Sequence, residues 1–117
     1  MKRRSARKMK SATAAAHHHC VYVVLLDEEA RSWSRGRKAD RSKPCVYVGM
    51  TGLDPAERFE NHKIGVKAAR VVKMFGERLL PELYEHLNPM PYEAALAMEA
   101  DLAEDLRTEG YCVFGGH

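Results

Sequence analysis

Hydrophobic and polar positions divide this chain into segments with distinct periods. "VYVVLL" at 21–26 and "CVYVG" at 45–49 are short, β-branched-rich runs bounded by polar stretches, which predicts two strands. They pair most simply as antiparallel neighbours. "DPAE" at 54–57 is a helix start, with Asp54 as N-cap, Pro55 at the first helical position and Glu57 three residues after the cap. That helix is expected to reach about Gly65 and to resume through 66–75. "LLPELYEHLN" at 79–88 reads two ways: Leu80, Leu83, Tyr84 and Leu87 have helical spacing, which periodicity favours, while a strand over 82–87 also fits. A helix is predicted from Pro91 to 108, ending at Gly110, with "YCVF" a candidate final strand. Residues 1–16 have no apolar periodicity and are expected to lack fixed structure or to order on contact. With His17, His18 and His19 they make a basic arm at 1–19 ahead of one domain at 20–117, which carries a basic insertion at 28–43.

On a helical wheel the segment at 91–108 has one apolar stripe, formed by Tyr92, Ala95, Leu96, Leu102, Ala103 and Leu106. Glu99 falls inside it. A buried carboxylate needs a partner, which is either a base, favoured on helix geometry alone, or a metal ion. In the preceding helix Arg58 and His62 are four apart and share a face with Phe59 and Val66, the face expected to meet the sheet. A core histidine and a snorkelling arginine are each common; with two strand tyrosines and a buried glutamate they form a set that folding alone does not need.

Composition changes this picture in three ways. At 117 residues the chain is one domain's worth, and no apolar run approaches the roughly 18 residues that span a bilayer. Three cysteines, odd in number and without a CxxC pair, argue against a disulfide framework and fit a reducing cytoplasm, the expected location. Net charge is +3, but residues 1–53 carry twelve Lys/Arg against four acids and residues 75–117 two against nine. Such a basic half suits an anionic partner such as nucleic acid, as Trp33 among Arg35, Arg37 and Lys38 also would; a solvated tail and loop explain it equally well. The His17–His19 run beside Cys20 reads as a chance polar stretch, because alternate residues of a strand point to opposite faces.

Taken in order, these motifs resemble the GIY-YIG nuclease family. Cys20, Val21 and Tyr22 stand where the family has Gly-Ile-Tyr, and Tyr47, Val48 and Gly49 match Tyr-Ile-Gly. "MTGLDPAERFENH" is similar to the following Arg-x-x-x-His helix, with Arg58 and His62 in those roles. "YEAALAMEADLAEDL" resembles the helix with the metal-binding glutamate, which falls on Glu99. Cys20 replaces a glycine, the connection between the first two motifs is longer than usual, Arg58 lies one residue further from Tyr47 than is common, and "YCVFGGH" offers no late asparagine.

The resemblance implies an α+β fold with a small three-stranded antiparallel sheet flanked by helices, which places the third strand within 79–87 against the helical spacing there. It implies a metal-dependent endonuclease cutting phosphodiester bonds, with DNA the first expectation. Glu99 would hold one Mg²⁺ or Mn²⁺, Arg58 would grip the phosphate, and Tyr22 would act as general base or orient the water, with Tyr47 and His62 as hydrogen-bonding partners. The sequence leaves the base role open between the two tyrosines. Gly49 would let the backbone approach a phosphate. Lys63 and Lys67 join the basic loop as candidate nucleic-acid contacts, and a recruiting protein is a further expected partner. Two other readings stay open: a catalytically inactive nucleic-acid-binding module, and a protein-interaction adaptor.

Overall fold

The apolar run at 21–26 becomes strand β1, Cys20–Leu26, and Val21 to Val24 are all buried. It shows no alternation because both of its faces are covered. β1 pairs antiparallel with β2, Cys45–Thr51, in a register that sets Tyr22 opposite Gly49 and Val24 opposite Tyr47. The computed structural model describes residues 17–34 and 40–116, and the sheet within them has the order β3–β1–β2–β4, where β3 is Gly76–Leu79 and β4 is Cys112–Gly115.

Two sequence expectations are corrected here. The third strand lies at Gly76–Leu79, meeting the expected 79–87 stretch only at Leu79, and pairs antiparallel with β1. Its Glu77 and Arg78 are exposed, so nothing in their apolarity announces a strand; backbone pairing at the sheet edge decides it. Residues 81–87 form two 3-10 turns, Pro81–Leu83 and Glu85–Leu87, each too short to use the helical spacing of their leucines. The sheet also has four strands instead of three: β4, the candidate strand after the last helix, pairs parallel with β2.

Helix α1, Pro55–Ile64, starts as its cap predicts, with the Asp54 carboxylate accepting from the Ala56 N–H at 3.2 Å. Gly65 ends it at φ +95°, a left-handed conformation suited to glycine. Because the helix stops there, Val66 falls off its inner face and is 48% exposed. Helix α2, Arg70–Phe75, follows, and α3, Tyr92–Thr108, buries Ala95, Glu99, Leu102, Ala103 and Leu106. Tyr92 and Leu96, in the first turns of α3, stay exposed despite lying on the apolar stripe. α1 packs on β1 and β3, and α3 on β2 and β4. The basic insertion opens with a 3-10 turn, Glu28–Trp33, capped by Asp27 and anchored by buried Ala30. His19, assigned to the arm, exchanges two backbone hydrogen bonds with Met90 and belongs to the fold. Cys20, Cys45 and Cys112 are free thiols. Among the described residues no helix is long and apolar enough to cross a membrane.

Candidate active site

Four elements bring the singled-out side chains together. β1 contributes Tyr22, β2 Tyr47 and Gly49, α1 Arg58 and His62, and α3 Glu99. Tyr22 and Tyr47 share one face of the sheet but sit diagonally, since Tyr22 faces Gly49 across the ladder. Their ring centroids are 6.3 Å apart, and His62 closes the triangle at 6.0 Å from Tyr22 and 5.7 Å from Tyr47.

The register gives Gly49 a different reason from the one expected. A Cβ at this position would lie 2.5 Å from Cζ and Oη of Tyr22. The room that glycine leaves is filled by the Tyr22 phenol, not kept open for a phosphate arriving from solvent.

His62 is fully buried and engaged at both ring nitrogens. Nδ1 accepts the Ala69 backbone N–H at 3.0 Å, and Nε2 lies 2.8 Å from the Tyr22 hydroxyl. Burial, then the Arg58 charge, lowers its pKa to about 4, so the ring is neutral at pH 7. A neutral ring that accepts at Nδ1 carries its proton on Nε2, an assignment made from the hydrogen-bond network. His62 therefore donates to Tyr22, and the Tyr22 proton is turned away from the imidazole. Sequence reasoning could not find Ala69, because a backbone N–H leaves no side-chain signal.

Arg58 is clamped from behind. Its guanidinium donates to the carbonyls of Val66 at 3.2 Å and Lys67 at 2.8 Å, holding the turn in which Lys67 adopts φ +46°. An arginine has five N–H groups, so further donors remain after these two bonds. Its charge acts on Tyr22, Tyr47 and His62. Burial still dominates at both phenols. Tyr22 is pushed well above the ordinary tyrosine range by burial and by Tyr47, against the pull of Arg58. Tyr47 is raised by burial and then by Glu99, again against Arg58. Burial and neighbouring charge thus hold both phenols protonated.

Glu99 is 8% exposed, and its charge raises the pKa of both tyrosines, so it lies within electrostatic reach of the cluster. Among the described residues no three His, Cys, Asp or Glu side chains are grouped to cage a metal. One buried carboxylate is nonetheless a donor set that fits Mg²⁺ or Mn²⁺, which take one or two protein carboxylates and fill the remaining positions with water and phosphate oxygens.

The candidate nucleic-acid contacts divide. Lys63 caps the end of α2, its ammonium donating to the carbonyls of Lys73 at 3.2 Å and Gly76 at 2.8 Å. Lys67 is exposed beside the Arg58 clamp. Trp33 is 38% exposed, but its ring meets Phe75 edge-on at 4.9 Å and carries the Arg70 guanidinium at 5.5 Å, so part of its surface is already covered. Arg35, Arg37, Lys38 and the arm at 1–16 lie outside the described residues. No protein-family model matches the chain, and neither does any curated protein or solved structure, so the case for a family rests on the residues described above.

Proposed function

We propose that the protein is an endonuclease of the GIY-YIG type that hydrolyses phosphodiester bonds in nucleic acid, with DNA as its substrate. The observation that carries this is the convergence of Tyr22, Tyr47, Arg58, His62 and Glu99, drawn from four separate elements, on one face of a small sheet. A packed core does not require this set: buried ionisable groups cost stability unless they serve one another or a ligand.

In this reading Arg58 takes the phosphate through the N–H groups not used on Val66 and Lys67, and stabilises charge as it develops. Tyr22, buried and with its oxygen held by His62, is a positioning residue beside Arg58. Tyr47, half-buried where Tyr22 is closed off, is the phenol that can order an attacking water. Glu99 would hold the divalent cation, which supplies neutralisation of the phosphate and leaving-group charge when bound.

The raised phenols and clamped arginine also suit a module that binds nucleic acid without cutting it, and the same experiment separates the two. Plasmid, branched and single-stranded DNA, and RNA, are incubated with Mg²⁺ or Mn²⁺ and either the wild-type protein or Glu99→Ala. Cut products from the wild type alone are the expected result. Salt-sensitive binding with no products under either ion would identify the inactive module, and no binding at all an adaptor.

A further inference from the structure

A cleft of about 420 Å³ opens between the first turn of α1 and the 3-10 turns at 81–87, and it shares no residue with the tyrosine cluster. Its volume lies within the roughly 300–1,000 Å³ range of small-molecule sites. Leu79 and three prolines give it apolar walls, and its charged side chains are the carboxylates Asp54 and Glu85, with no lysine, arginine or histidine among its lining. Asn88 also lines it, but its amide serves the fold, accepting from the Val21 N–H at 2.9 Å and donating to the Val21 carbonyl at 2.7 Å.

Tyr84 is the unexplained member. It is 4% exposed, it lines the cleft, and its hydroxyl has no hydrogen-bond partner among the described residues. Burial, then the charges of Asp54 and Glu85, pushes its pKa up to about 12, so it stays a neutral phenol facing those carboxylates. Its oxygen keeps some contact with solvent at the cleft, where a ligand's donor would take the place of water.

We propose that this cleft binds a small organic cation, a protonated amine on an apolar or aromatic body, with the ammonium between Asp54, Glu85 and the Tyr84 oxygen and the body against the leucine and proline walls. The two carboxylates, with no base beside them in the cleft's lining, attract a cation and repel phosphate, so the site is not an extension of a nucleic-acid surface. It is independent of the proposed nuclease chemistry.

The test is a titration of the full chain with phenethylammonium, followed in a proton–nitrogen correlation spectrum at constant ionic strength. Hydrocinnamate, with the same ring and stem and the opposite charge, is the comparator. Saturable shifts around Cys20, Ala56, Tyr84 and Glu85 are expected with the amine, with none from the carboxylate. In Asp54→Asn/Glu85→Gln the affinity for the amine should fall about tenfold, and asparagine keeps the helix cap. Glu85→Gln alone, at an exposed position, should lose about threefold and serves if the double variant does not fold. Equal binding of amine and carboxylate, shifts that map elsewhere or never saturate, or undiminished affinity in the charge variants would overturn the proposal. None of these outcomes bears on phosphodiester cleavage.

Discussion

Two phenols lie within the fold at nearly equal depth, Tyr22 at 1% exposure and Tyr84 at 4%. Burial raises the pKa of both. Their neighbours differ in sign. Tyr22 receives a hydrogen bond from His62 and has Arg58 pulling its pKa back down, whereas Tyr84 faces only carboxylates and a thiol. Helix α1 serves both: its first turn borders the Tyr84 cleft, and Arg58 and His62 reach the Tyr22 side. The same residue type at the same depth thus sits in opposite fields, beside a guanidinium and an imidazole N–H in one case and beside carboxylates in the other. Charge arrangement, not burial, separates the two.

The comparison can be broken most severely at Arg58. Arg58→Ala should slow cleavage on the order of 10²- to 10³-fold by removing a transition-state donor, as read from initial rates with Mg²⁺ or Mn²⁺. A loss in affinity alone would reduce Arg58 to a positioning contact.

His62 offers the next largest effect, in stability. Its folded pKa is depressed from 6.5 to about 4. As pH falls below about 6.5 the unfolded chain takes up this proton before the folded one does, so stability is full above that pH and declines towards pH 4. The contribution reaches about 3 kcal/mol at most. Denaturant titrations between pH 7 and 4 should show this slope in the wild type and a shallower one in His62→Gln. Identical slopes would mean that His62 is not held neutral.

Applying one substitution to both tyrosines sharpens the contrast further. Tyr22→Phe leaves the buried His62 N–H unpaired and should cost about 1–3 kcal/mol of unfolding free energy. Tyr84→Phe removes a hydroxyl that no described residue pairs with and should stay within about 0.5 kcal/mol. Equal costs would remove the distinction between the sites.

Much of the cluster was legible before any coordinates, because helical and strand periods are rigid rules. A four-residue spacing put Arg58 and His62 on one face, and a carboxylate within an apolar stripe marked Glu99. The Asp54 cap fixed where α1 begins. What escaped depends on tertiary pairing. The strand at Gly76–Leu79 forms at the sheet edge from residues with little strand character, and the parallel direction of β4 follows from how α3 returns the chain. Gly49 was rightly marked as special, but for the wrong occupant, since only the register shows Tyr22 lying over it. The clamps on Arg58 and His62 come from backbone groups at 66, 67 and 69, which no side-chain pattern records.

The account stands on these side chains working as a single unit, and a double-mutant cycle in single-turnover cleavage tests that directly. Tyr47→Phe, Arg58→Ala and their combination are compared with the wild type. One shared site predicts that the double variant is scarcely slower than the slower single one, because the second change acts on a unit already broken. Losses that multiply as for independent positions, or single variants that cut at the wild-type rate, would contradict it.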